Sequence, residues 1–136
     1  MRIARRVLID PFRSVSVSDA GFQLAAFDEP RDEPVVSEWV TAPRDAVLIV
    51  DGIFLLRPAL RGLWHWSVWL DCPLDVRYAR MAARDGVDPD PAAPANRRYR
   101  DGMELYLREA SPRTAASAIV DNTDVAAPAR VFQDFC

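Results

Sequence analysis

The residues in this chain best suited to chemistry begin with an acid and a glycine, Asp51-Gly52, which close the aliphatic run Ala46-Val47-Leu48-Ile49-Val50. A carboxylate at the C-terminal tip of a buried parallel strand lies at the ligand-binding edge of such a sheet. In phosphoryl transfer an acid at that point holds Mg²⁺, directly or through water. Gly52 permits a close backbone approach. Further on, Arg77, Arg80 and Arg84 are spaced by three and four residues and so share one helix face. The planar guanidinium fork grips phosphate oxygens in pairs. Three such groups could line one wall of a site where charge develops on a transferred phosphoryl group. A second cluster, Asn96-Arg97-Arg98-Tyr99-Arg100, opens a helix after a stretch rich in proline and aspartate. Positive charge at a helix N-terminus opposes the dipole, so it needs a compensating anion from ligand or protein. A loop over residues 86–95, bordered by two arginine clusters, has the layout of a closing lid. Phe27, Asp28 and Arg31 could line a substrate pocket, the aromatic stacking on a base while the charged groups read its polar edges.

Each feature also has a structural reading. Asp51 can cap the turn that begins at Ile53. The three ladder arginines can be a solvated helix face paired with Asp75 or Asp85. Phe27, Asp28 and Arg31 can be the end of a plain hairpin. His65, between Trp64 and Trp66, has no partner acid in sequence and reads as structural. No Ser–His–Asp set and no H-E-x-x-H helix is present. The Asp-x-Asp pattern of haloacid dehalogenases fails, because Ile49 stands where its first acid belongs. One absence matters more. The sequence has no G-x-x-x-x-G-K-[ST] and no lysine, all 17 basic side chains being arginine. It therefore contains no lysine-tipped phosphate cradle.

The 136 residues suit one domain, and a composition that is 50% hydrophobic, with four Trp and six Phe, predicts a packed core. A net charge of −3 argues against general nucleic-acid binding. No apolar run reaches membrane-spanning length, and the first residues lack the pattern of a signal peptide. Two cysteines in unrelated contexts, Cys72 and Cys136, read as reduced thiols of a cytoplasmic protein.

The elements that must position the candidate residues follow from periodicity. Residues 1–9 predict a short helix, ended by Asp10-Pro11. Residues 14–18 and 22–27 predict short strands around a turn at Gly21, with a further short strand near residues 35–40. Residues 46–50 and 66–71 predict strands buried on both faces. A short helix is expected over residues 53–63. Pro73 suits the first turn of a helix that Asp85-Gly86 ends. A second long helix covers residues 96–110, and a last short strand residues 118–120. A final helical turn is expected in the tail. Strands alternating with helices predict an α/β fold with a mostly parallel sheet and flanking helices.

The order of these pieces resembles a known family. The pieces are Val47-Leu48-Ile49-Val50-Asp51-Gly52, Leu70-Asp71-Cys72-Pro73, the Arg77/Arg80/Arg84 ladder with Asp85, Arg98-Tyr99 with Gly102 and Leu105-Tyr106-Leu107, and Ile119-Val120-Asp121-Asn122-Thr123-Asp124. Together they look like the C-terminal two-thirds of a bacterial uridine kinase-like protein, one of the P-loop nucleoside and nucleotide kinases. The likeness runs over residues 1–125. It implies transfer of the γ-phosphate of ATP, with Mg²⁺, to the 5′-hydroxyl of a pyrimidine nucleoside, a small-molecule substrate. By the same resemblance Asp51 stands near the metal. Arg80 and Arg84 flank the lid and touch phosphates, with Arg77 beside them toward the nucleotide. Arg98 and Tyr99 stand on the lid's far side, and Asn122 and Thr123 beside the adenine. Phe27, Asp28 and Arg31 look like the nucleoside-side hairpin. In the family the P-loop, with its first strand and the acid that activates the acceptor, precedes the segment matched here. That strand lies between the two assigned to residues 46–50 and 66–71. The resemblance thus implies a partial P-loop kinase fold and an incomplete chain, inactive by itself. Two other outcomes stay open: a degenerate, non-catalytic binding module, and a kinase for another small metabolite such as pantothenate or a sugar.

Overall fold

The computed structural model describes residues 5–14, 21–25, 27–28, 31, 33–35 and 37–131. Two compact units divide the chain, Met1–Asp51 and Gly52–Cys136. Among the described residues no helix is long and apolar enough to cross a membrane.

The first unit begins with a π-helical turn, Arg5–Ile9, that runs on into α1 (Asp10–Arg13). Asp10-Pro11 does not end the helical path as the sequence predicts. Pro11 falls in the first turn of α1, where its missing N–H is not needed and its fixed φ suits a helix. The strand expected over residues 14–18 lies, beyond Ser14, outside the described residues; in the tail, where a helical turn is expected, residues 129–131 form a strand instead and residues 132–136 lie outside the described residues. Four short strands follow: β1 (Phe22–Gln23), β2 (Phe27–Asp28), β3 (Glu33–Pro34) and β4 (Trp39–Val40). They form two antiparallel pairs, one inside the other. Phe22 faces Val40 in the outer pair, and Phe27 faces Pro34 in the inner pair. The register slips by one residue between the pairs. Ser37 holds that slip: its hydroxyl donates to the Ala25 carbonyl at 2.9 Å and accepts from the Ala25 amide at 3.3 Å. A bulge of this kind needs a side chain to satisfy backbone that the ladder leaves unpaired. Gln23 adds a bond from Nε2 to the Ser37 carbonyl at 2.6 Å, and Phe12 meets Phe22 edge-on with ring centroids 5.4 Å apart.

Residues 46–50 form no strand. Val47 and Ile49 are 83% and 87% exposed. An aliphatic run becomes a strand only where neighbouring strands take up its backbone groups, and among the described residues none does.

The second unit holds α2 (Pro58–Arg61), β5 (Val68–Asp71), α3 (Leu74–Asp85), a 3-10 turn (Pro94–Asn96), α4 (Arg97–Ala110), α5 (Pro112–Ala115), β6 (Ala118–Asp121) and β7 (Ala129–Val131). The layering is mixed α/β. The sheet is mixed as well, since β5 runs parallel to β6 and β7 antiparallel to it. The core gathers Leu56, Tyr106 and Ala110, with Phe54, Trp64, Trp69, Met103 and Ala116 packed against them. Tyr106 binds two parts of it together. Its hydroxyl accepts the Leu56 amide at 2.9 Å, and its ring meets Phe54 edge-on at 5.2 Å. Arg61 donates to the Leu56 carbonyl at 2.8 Å and to the Ala110 carbonyl at the end of α4. That end is closed by Ser111 at φ 41°, ahead of Pro112. α3 starts after extended Pro73, carries Asp75 in its first turn and stops at left-handed Gly86, as its sequence predicts.

Candidate functional site

The C-terminal ends of β5 and β6 carry matching acids: Asp71 and Asp121 are direct register partners. Beyond them lies a pocket of about 300 Å³ lined by Asp71, Cys72, Pro73, Asp121, Thr123 and Val131. The crevice lies beyond the C-terminal ends of the parallel pair, where the chain leaves β5 for α3 and leaves β6 for the loop that returns as β7; such strand ends are where α/β sheets bind ligands.

Its walls are fixed by hydrogen bonds. Asp121 Oδ1 accepts the Thr123 hydroxyl and, at 2.8 Å, the Thr123 amide. The hydroxyl chiefly, and the amide with it, hold the Asp121 carboxyl below the usual carboxylate range. The Asn122 amide donates to the Asp71 carbonyl at 2.8 Å, continuing the β5–β6 pairing one step beyond β6. Asp71 Oδ2 accepts Arg113 Nε at 3.1 Å.

Arg80 reaches the same loop from α3. One guanidinium nitrogen donates to the Asn122 carbonyl at 2.8 Å and the other to the Thr123 carbonyl at 2.7 Å. The Cys72 sulfur lies 3.6 Å from the first of these nitrogens. Arg77 donates to the Cys72 carbonyl at 3.2 Å. Arg77, Arg80, Asn122 and Thr123 thus come together around the mouth of β5 and β6.

Within the second unit, Arg84, Arg98 and Tyr99 do not join this network among the described residues. Arg84 forms a two-pronged pair with its neighbour Asp85, at 2.7 and 2.6 Å. The hydrogen bond and charge of Asp85 raise Arg84, and that bond lowers Asp85. Arg98 is exposed and has no hydrogen bond or ion pair among the described residues, and Tyr99 beside it is also exposed. Phe27, Asp28, Arg31 and Asp51 belong to the first unit. Phe27 and Asp28 form β2, Arg31 stands in the turn before β3, and Asp51 is exposed.

Among the described residues the polar part of the lining consists of two carboxylates, a thiol and a hydroxyl. Such walls offer acceptors to a ligand rich in hydrogen-bond donors. Among the described residues no three His, Cys, Asp or Glu side chains gather to hold a metal. A lone carboxylate such as Asp51 fits Mg²⁺ only where phosphates and water complete the octahedron. Sequence reasoning singled out Asp51 as a strand-end acid and passed over Asp71 and Asp121 as wall residues. The same rule applied to residues 68–71 and 118–121 marks both, since each strand ends in aspartate.

Three partial matches relate the chain to curated proteins. It is 46% identical over 50 residues to a uridine kinase of Vibrio atlanticus, which is 36% of this chain and 24% of the relative. It is 52% identical over 40 residues to one of Aliivibrio fischeri, 29% of this chain and 19% of the relative. A uridine kinase of Shewanella baltica is 41% identical over 51 residues, 37% of this chain and 24% of the relative. The matched segment therefore spans a quarter or less of these relatives. No family model and no solved structure matches the chain. The partial matches support a uridine kinase-like relationship.

Proposed function

We propose that this chain is the nucleotide-side part of a uridine kinase-like phosphotransferase, which moves the γ-phosphate of ATP to the 5′-hydroxyl of a pyrimidine nucleoside. The observation that carries this reading is identity of 41–52% to uridine kinases over 40–51 residues. The crevice at the ends of β5 and β6 supports it, since its donor-seeking walls suit the amino edge of a base. Asn122 and Thr123 bound the base, and Thr123 is held in place by Asp121 and Arg80. Of the site arginines Arg77, Arg80, Arg84 and Arg98, only Arg98 has no partner among the described residues, which favours it for contact with phosphate, with Tyr99 beside it. Arg77 and Arg80 act by shaping the loop. Arg84 reaches phosphate only by leaving Asp85. Asp51 would hold Mg²⁺ jointly with the phosphates of ATP, the metal supplying charge neutralisation. Phe27, Asp28 and Arg31 serve the acceptor nucleoside.

A second reading has its own support. Two of the three ladder guanidinium groups are spent on backbone carbonyls and the third on Asp85, and the chain has no lysine. That is the condition of a relative that binds a nucleoside without turning it over.

Amide chemical-shift titration of the chain with adenosine and with ATP·Mg²⁺ tests the proposal. Perturbations at residues 72 and 121–124 are expected for both, with affinities near the millimolar level, about −4 kcal/mol. No perturbation of these residues at saturating concentrations refutes the base site. Turnover of ATP with uridine by this chain overturns the second reading. Binding of ATP far tighter than adenosine overturns the division into a base site here and a phosphate cradle elsewhere.

A further inference from the structure

The stretch between α3 and α4 has the composition of a mobile loop, with Pro89, Pro91 and Pro94 among Asp88 and Asp90. Its hydrogen bonding is that of a closed cage. Asn96 is 1% exposed, and its amide nitrogen donates to the carbonyls of Asp88 and Asp90, each at 2.8 Å. The two aspartates fold the chain back on itself. The Asp88 carboxylate accepts the Asp90 amide at 2.9 Å, and the Asp90 carboxylate accepts the Ala92 amide at 2.8 Å. The Ala93 amide reaches the Asp90 carbonyl, and the Asn96 amide the Ala93 carbonyl. From the first turn of α4, Arg100 donates to the Pro91 carbonyl at 2.9 Å. The three prolines bring no N–H that needs a partner, and they restrict the unfolded chain.

The link to α3 is of the opposite kind. Gly86 takes a left-handed conformation at φ 70°, and a Cβ there would meet nothing within 4 Å. Its amide makes the last bond of α3, to the Ala82 carbonyl. Val87 makes no hydrogen bond to any described residue. A stretch of backbone without hydrogen bonds, between two hydrogen-bonded bodies, is where rotation is absorbed.

We infer that residues 88–96 and the first turn of α4 form one rigid pad, locked by the Asn96 amide and hinged to α3 at Gly86–Val87. Asn96 is a positioning residue in this device. Arg98 and Tyr99 ride on the pad, so any movement of the segment carries them as a unit. The cage needs no nucleotide, and it stands or falls separately from the phosphotransferase reading.

Amide-resolved hydrogen exchange on the full chain tests it. The amides of Asp90, Ala92, Ala93 and Asn96 should exchange about tenfold or more slower than an unstructured chain, with Val87 close to the unstructured rate. Asn96→Asp keeps the shape but replaces the donating nitrogen by an acceptor. It should abolish protection at those four positions while the middle of α4 stays protected. Endoproteinase Asp-N should then cut before Asp88 and Asp90 in the variant and spare the natural chain there. Should Asn96→Asp fail to fold, Arg100→Met removes one outer bond and should raise exchange at Ala92 and Ala93. Exchange of the four amides at the unstructured rate in the natural chain overturns the pad. Protection of Val87 equal to theirs overturns the hinge.

Discussion

Replacing Tyr106 by Phe separates one hydrogen bond from everything else that this side chain does. The ring is 6% exposed, meets Phe54 edge-on at 5.2 Å and lies 6.4 Å from Trp69. Phe keeps those contacts. What it removes is the oxygen that accepts the Leu56 amide at 2.9 Å, in the core of the second unit. The amide is then left buried and unpaired, at a cost of about 1–3 kcal/mol. Relief from burying a hydroxyl offsets part of this, so a net loss of about 1–2 kcal/mol is expected in urea unfolding. Heating should show a fall of about 3 °C for each kcal/mol. A second signature follows from the phenol's titration. Burial pushes the Tyr106 hydroxyl above its ordinary value, against smaller opposing pulls from its bond with Leu56 and from Arg61 and Arg57. Below about pH 10 both folded and unfolded chains keep the proton. Above it the unfolded chain loses a proton that the folded chain retains, so stability falls as pH rises from there through the folded-state value. The variant lacks this term, so its deficit relative to the natural chain should shrink as pH rises above about 10. Tyr78 and Tyr99 are present in both chains and cancel. A variant within about 0.3 kcal/mol of the natural chain, with unchanged exchange at the Leu56 amide, would refute the assigned bond.

Three further outcomes follow. Ser111→Gly should stabilise the chain by about 1 kcal/mol in urea unfolding, because φ 41° at the end of α4 strains any residue with a Cβ; no gain would mean that Ser111 relaxes out of the left-handed region. Arg80→Met should cost about 1–2 kcal/mol and Arg80→Lys less, since lysine can restore one of the two bonds to the Asn122 and Thr123 carbonyls; two neutral variants would show that the loop needs no latch. Thr123→Val should return the Asp121 carboxyl toward the ordinary range in a ¹³C titration. The depressed value makes Asp121 favour the folded chain above the ordinary carboxylate range, a contribution lost as pH falls through the folded value, so the variant should show a weaker acid dependence; an unmoved titration would reassign the cause.

The sequence was most legible where local chemistry and burial agree. α3 has Pro73 before it, Asp75 in its first turn and Gly86 after it, and it runs over the expected residues. β5 and β6 are short apolar runs, each ending in aspartate, that pair in parallel. Local pattern failed where a partner decides the outcome. Residues 46–50 are more aliphatic than residues 68–71, yet only the latter have a ladder to join among the described residues. Even β5 is paired on one edge alone among the described residues, and Leu70 is 59% exposed. The same distinction governs the arginines. Spacing alone placed Arg77, Arg80 and Arg84 on one face of α3, and spacing could not say what each would meet. Arg77 and Arg80 reach carbonyls because the loops after β5 and β6 pass beside α3, while Arg84, one turn further on, meets only Asp85. A guanidinium that already satisfies two backbone carbonyls is poor at releasing them for phosphate, since each carbonyl would lose a charged donor. Of Arg77, Arg80, Arg84 and Arg98, only Arg98 would give up no partner among the described residues on meeting an anion.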